Sequence, residues 1–506
     1  MTGYQFLLEI NAYNTTNQTE EVLRYSCAPG YTGGGYTWLP YIVDPGLFQV
    51  TLFSGGKTSG GSTYSYGEII LGNAKASPSV LSGPIDALKD YVFAGRTVKM
   101  YYGLQGALFP SGFTCSYVAT ISDATIGWDT VSLSLKGYQA LLDRIISYDT
   151  FAGDGSPLEG SSELRDKLKP ILLGRAKNFS PVLVNAALLI YAISPLSGAS
   201  IGQFNSGIHV YDSGVELYRQ GRSTAILTDV PQAGSYLVSD DGYLRLGSSP
   251  KGVITCSAVQ HDLGLKATPP AIIEWIFTKL FISVPTINAA SLTALYLADK
   301  KEAGLYLSAK ATVSQIIDQL LAPTGYWYFN HAGEVVFGQL VDPSGITPVY
   351  YASSDTNIAS WSRAKTQDTT NGIPAKTVTV RHEFNYTVIT QPLPATAVID
   401  MGWLATDWKA TLADTATKVH PNSEEMIIDT ARGSLVPSLI GLYTVPRELI
   451  TITIIRSDFL AAAAVLPGQC VSVDLKGRFN CSGKRMLVVG ILINYVAESV
   501  QLTLWS

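Results

Sequence analysis

Short apolar runs, each cut off by Gly, Pro, Asp or Asn, fill about the first 135 residues of the chain. TYSYGEIILGN, TVKMYYGL, TCSYVATI and TVSLSLKGY are four of them. Successive side chains of a strand point to opposite faces, so alternation between turn residues predicts β-strands rather than helices. Strands cannot bury an apolar face alone. A chain built this way must pair them into sheets that stack or roll, as sandwiches or barrels.

The rest of the chain repeats the pattern with interruptions. YQALLDRIIS, residues 138–147, has helical spacing, and DTFAGDGSPLEGSSEL after it marks a boundary. A short helix is expected at Pro181–Ala192. GIHVYDSGVELYRQGR and SYLVSDDGYLRLGSS are then expected as hairpins, turning at Asp212-Ser213-Gly214 and Asp241-Gly242, with GVITCSAV as a strand. From Thr268 the character changes. Pro269 and Pro270 open the helical AIIEWIFTKLF, and Thr312 with Gln315 forms a capping box before VSQIIDQLL. Residues 325–340 are expected as a hairpin. The final part holds the strands AKTVTVRHEF, ELITITII, QCVSVDL, KRMLVVGILIN and SVQLTLWS, with a weak helical region near Glu424–Gly441. The expected fold is mainly β with small α+β parts, in several β-barrel or sandwich domains. The expected divisions are 1–155, 160–267, 268–345 and 346–506, with barrel segments that can be discontinuous.

The 506 residues are too many for one core, and 46% apolar against 15% charged supplies enough side chains to fill several. The net charge of −5 includes no basic block, which argues against tight nucleic-acid binding while allowing a channel past which DNA slides. Cys27, Cys115, Cys256, Cys470 and Cys481 form no CxxC pair and are expected to be free thiols, although Cys470 and Cys481 could face each other across a hairpin. MTGYQFLLEINAYNTT lacks the basic start and long apolar core of a signal peptide, and the apolar run Val182–Ile193 is too short to span a bilayer.

Several motifs suggest chemistry that their surroundings do not support. Gly55-Gly56-Lys57-Thr58 resembles the end of a phosphate loop, but Thr51 stands where that loop needs Gly, and a strand pattern follows instead of a helix. Ser200 lies in GxSxG without the strand-turn-helix of a nucleophile elbow. His209, His261, His331, His382 and His420 are far apart and lack ligand spacing, and Glu424-Glu425 fits a solvated helix start. The expectation is no catalytic, cofactor-binding or metal-binding residue, no cofactor, and no enzyme activity. The aromatic clusters Tyr36-Trp38-Tyr41, Tyr64-Tyr66 and Tyr326-Trp327-Tyr328 are expected to be half core and half interface.

The order of segments carries more than any motif. Gly67-Glu-Ile-Ile-Leu-Gly-Asn73, then Asp86-Ala-Leu88, Tyr91-Val-Phe93 and Gly95-Arg96, resembles the opening of a family of bacteriophage tail-tip, or baseplate hub, proteins. Residues 164–194, the two hairpins after them, GLYLSAKATVSQIIDQLLAPTGYWYFNHAGEVVFGQL and the closing strands resemble later parts of that family in the same order, with 345–435 matching least. The resemblance implies a virion protein of the tail tip, made in the bacterial cytoplasm. It implies a ring, usually a homotrimer with two similar barrels per chain, that continues the tail tube and forms or gates its DNA channel. The implied partners are the distal tail or tail-tube protein, the tape-measure protein, and tip or fibre proteins. A receptor- or glycan-binding tail protein and a tail-associated cell-wall hydrolase stay open as alternatives.

Overall fold

The computed structural model describes residues 3–52, 60–72, 83–137, 139–146, 149–195, 207–259, 267–280, 286–298, 302–321, 326–365, 377–390, 405–407, 409–414, 425–429, 447–477 and 480–506. The alternating runs are strands, and the protein is mainly β with small α+β parts. One sheet runs Thr19–Ser26, Tyr4–Asn14, Thr97–Leu104, Phe113–Ile126, Thr130–Gly137, Ile69–Gly72, Ile42–Asp44. Its two ends are joined within a few residues: Leu39 bridges Tyr25 on the first strand, and Ile42 opens the last. A sheet tied this way must roll.

A second sheet runs Tyr350–Ser353, Cys470–Leu475, Cys481–Asn494, Ser499–Trp505, Glu448–Ile454, Ile358–Lys365. Strands 350–353 and 358–365 stand at its opposite ends, yet only residues 354–357 connect them, so this sheet rolls as well. The two rolled sheets share a design. Each contains a meander whose middle strand has 14 residues, 113–126 in one and 481–494 in the other. Each middle strand has a bulge or register shift against both flanking strands. An extra residue bends a strand and strengthens its twist, which helps a sheet curl.

The sheets are also stitched together. The hairpin of Leu47–Thr51 and Thr63–Tyr66 leaves the first sheet's part of the chain and pairs through 47–51 with residues 490–494 of the second. One continuous core results, in which Leu8, Met100 and Ile121 of the first sheet pack with Ile452, Val488 and Leu502 of the second.

Residues 171–195 and 207–259 form two packed sheets around Leu172, Phe179, Tyr236 and Val238. The hairpin turns expected at Ser213-Gly214 and Asp241-Gly242 are present, with Gly242 at φ +82°. Helices Pro269–Leu280, Ala289–Ala298 and Val313–Leu321 pack on the hairpin Tyr326–His331/Glu334–Gln339. Strand Gly304–Leu307 of this part pairs with Ile171–Phe179. A small sheet, Thr377–His382 with Lys409–Asp414 and Glu425–Asp429, lies in the excursion between strands 358–365 and 448–454.

Three local expectations differ, and one helix was not expected. Residues 181–192 are not a helix but the strands Val182–Asn185 and Ile190–Ala192. There the Asn185 carboxamide accepts the Leu188 N–H at 2.9 Å and turns the chain. The helix expected over 138–147 shrinks to Gln139–Leu142 because the chain beyond it pairs with 311–313 instead: the Ile146 N–H donates to the Ala311 carbonyl and the Arg144 carbonyl accepts the Val313 N–H. Glu425–Asp429 is a strand, its Ile427 and Ile428 suiting a parallel pairing with 377–381; the rest of that expected helix lies outside the described residues. Ala289–Ala298 is a helix that the pattern hides, because AASLTALYLA is apolar all round.

Candidate functional site

The two rolled sheets meet along a densely contacted seam. A path of aromatic rings crosses it, from Tyr66 to Tyr117 (5.2 Å between centroids), Tyr495 (6.5 Å), Phe6 (5.5 Å) and Phe459 (6.2 Å). Phe48 of the stitching hairpin stacks on Tyr117 at 5.6 Å. The hydroxyls of Ser116 and Tyr495 meet at 2.5 Å, tying the middle strand of the first meander to the end of the second. Burial raises the phenols of Tyr64, Tyr117 and Tyr495 well above their ordinary value, so the seam stays uncharged.

Trp327 joins the helix-hairpin unit to this core. Its indole lies over Gly338, its cross-strand neighbour, and over Gly468, in the loop before strand 470–475. A Cβ built on either glycine would stand 2.0 Å from the ring, and Gly468 also has φ +83°. Both positions therefore require glycine. Trp38, Trp327 and Tyr326-Tyr328 are buried, whereas Tyr36 is 44% exposed, so the aromatic clusters divide between core and surface.

Around Trp38 an apolar end is left open. Phe109 packs on Trp38 at 5.1 Å and on Tyr101 at 5.3 Å, and Arg24 lies 3.7 Å over the Tyr36 ring. On the same loops Leu108 is 74% exposed, and Leu39 and Leu104 are also exposed.

The excursion 366–447 leaves and returns at the pair Lys365 and Glu448. Burial alone would raise the Glu448 carboxyl. Hydrogen bonds from Arg363 and Lys484, both 2.6 Å, outweigh that and hold it below the usual carboxylate range.

The candidate reactive residues do not converge. Gly55–Thr58, Ser200, His261, His420 and Glu424 lie outside the described residues. His209 is exposed and contacts Glu216 at 2.6 Å. His382 is buried in the small sheet's strand. His331 lies at the tip of the helix-hairpin unit, its imidazole pushed below its ordinary value by burial against the pull of Glu334. All five cysteines are free. Cys470 and Cys481 do not face each other, since Cys470 pairs with Leu487 and Cys481 with Leu475. Among the described residues, no three His, Cys, Asp or Glu side chains gather as a metal site. No described helix is long and apolar enough to cross a membrane.

Within the Gly67–Arg96 stretch, residues 67–72 and 83–96 are built into the first rolled sheet, and Asn73 lies outside the described residues. Ile69 and Leu71 are buried in strand 69–72, Leu88 in a 3-10 turn over Asp86–Asp90, and Phe93 beyond it. Arg96 donates to Glu20 at 2.8 Å and lies 5.4 Å over the Tyr13 ring, fastening the stretch to the first hairpin.

No protein-family model matches the sequence, and no curated protein matches it in sequence. Three solved structures align along nearly the whole chain. The 43 kDa tail protein of prophage MuSo2 from Shewanella oneidensis is 8% identical, with 99% of this chain and 98% of that chain covered, at a TM-score of 0.39. A tail protein from Neisseria meningitidis MC58 is 9% identical, covering 100% and 96%, at 0.40. Prophage tail protein gp18 from Listeria monocytogenes EGD-e is 7% identical, covering 99% and 94%, at 0.35.

Proposed function

We propose that the chain is a structural subunit of a bacteriophage tail tip, a hub whose copies assemble into a ring that continues the tail tube. The observation that carries this reading is the pair of rolled sheets with matched meanders in one chain. Two barrel-like units per chain let three chains present six around an axis, which matches a threefold ring to a sixfold tube. The ordered resemblance from Gly67–Arg96 to the closing strands supports the same reading. The open apolar end around Tyr36, Leu39, Leu104 and Leu108 supplies a surface for a neighbouring subunit, since soluble monomers rarely leave such residues grouped in the open. In this role the chain catalyses no reaction; its partners are further copies, the tail-tube or distal tail protein, the tape-measure protein, and tip or fibre proteins.

Light scattering on the purified chain, followed by electron cryomicroscopy with tail-tube protein added, tests the assignment. A trimer that caps tube ends threefold and axially is the expected result. A monomer at high concentration that ignores tube protein would overturn it.

A further inference from the structure

A cavity of about 80 Å³ opens where three parts of the chain meet: the first rolled sheet, the second, and the helix-hairpin unit. Phe48 and Val50 of the stitching hairpin, Tyr102, Phe329, Ile491 and Ile493 of strand 481–494, and the segment 463–467 beginning at Ala463 make most of its wall. Thr114, Cys115, Ser116 and His331 contribute the polar atoms.

Those polar groups are largely engaged already. The Ser116 hydroxyl is bonded to Tyr495, and the Tyr102 phenol to Thr114. The Cys115 thiol lies 3.7 Å from the Tyr117 carbonyl. The cavity is partly open, so water can reach it, but a lining this apolar holds water weakly and favours an apolar occupant. The lining also carries no charge at neutral pH. Burial pushes the Cys115 thiol up to about 11, so it keeps its proton, and burial holds the His331 imidazole neutral. An ion seated here would give up part of its hydration without gaining a charged partner.

We propose that this cavity is a binding site for one small, uncharged, apolar molecule or group. An engineered apolar cavity of about 150 Å³ takes benzene or xenon, so a space half that size suits one xenon atom or roughly three carbon atoms. An occupant would touch all three parts of the chain at once. By binding only the folded state it would hold the seam together. The inference does not depend on the assembly reading, because it rests on the cavity lining alone.

Xenon under pressure is the probe. In the full chain, xenon is expected to raise the unfolding temperature and to shift the methyl resonances of Val50, Ile491 and Ile493 saturably. The variant Ala463→Leu fills the cavity from its wall and is expected to lose the methyl shifts at least fivefold. Should that variant fail to fold, Cys115→Met fills the space from strand 113–126 and is read in the same way. Absence of saturable shifts in the natural chain would overturn the proposal. So would shifts of equal size in a folded, filled variant, or a water resonance coupled to the Ile493 methyl that xenon does not displace.

Discussion

At the scale of the residue, Gly468 and Trp327 form a lock that local sequence does not announce. A methyl group at Gly468 meets the indole and a positive φ together. Gly468→Ala is expected to cost about 2–4 kcal/mol, and Trp327→Ala about 3–5 kcal/mol. Urea titration of the double variant should show a loss smaller than the sum, because removing the ring removes the clash. Glu448 gives a second residue-scale prediction. Its carboxyl is held below its ordinary value of 4.5, so the stability it contributes is fully present above that value and is lost as pH falls through the depressed folded value. Glu448→Gln should lower stability by about 1–3 kcal/mol at pH 7. Its curve of unfolding temperature against pH should be flatter below pH 4.5 than that of the natural chain.

At the scale of the element, the helix Val313–Leu321 is the clearest case of sequence dictating structure. The Thr312 hydroxyl accepts the Gln315 N–H at 3.2 Å, and the Gln315 carboxamide accepts the Thr312 N–H at 3.0 Å, the reciprocal pair expected of a capping box. Val313, Ile316, Ile317, Leu320 and Leu321 then bury one face. Thr312→Ala is expected to cost about 1 kcal/mol and to speed hydrogen exchange at the first-turn amides, with strand 499–505 unaffected. The two hairpin turns were equally legible, because Ser-Gly and Asp-Gly supply the backbone conformation that such turns need. Elements whose apolar residues carry no single period were not. VLVNAALLIYA could wind or extend, and the choice falls to Asn185 and to the neighbouring strand 243–246 that pairs with Ile190–Ala192. AASLTALYLA is helical, although no face of it stands out.

At the scale of the molecule, the two rolled sheets share one core, so they should unfold as one. Calorimetry is expected to show one transition for the two sheets together, and a fragment of residues 1–137 is expected to lack cooperative unfolding. A fragment that melts sharply would show that the sheets are separable. If the hub reading holds, Leu108→Asp should shift the oligomer toward monomer without lowering the unfolding temperature, since Leu108 is 74% exposed and supports no core. Strand existence was readable because its period is local. The partner of strand 47–51 was not, because pairing across about 440 residues leaves no mark in either segment. The same holds for the seam: YWYF announces half-buried aromatics, but that the Trp327 ring meets Gly468 follows only from the way the chain returns.

That long-range pairing bears on how the chain is made. While a ribosome works from Thr51 to Gly490, the free edge of strand 47–51 has no second neighbour of its own chain to close against. At 5–20 residues per second the wait is roughly 20–90 s. Throughout it an apolar strand edge is open to other nascent chains, so chaperone demand and aggregation during synthesis should fall on the earliest strands, and relief should come only as the last ones emerge.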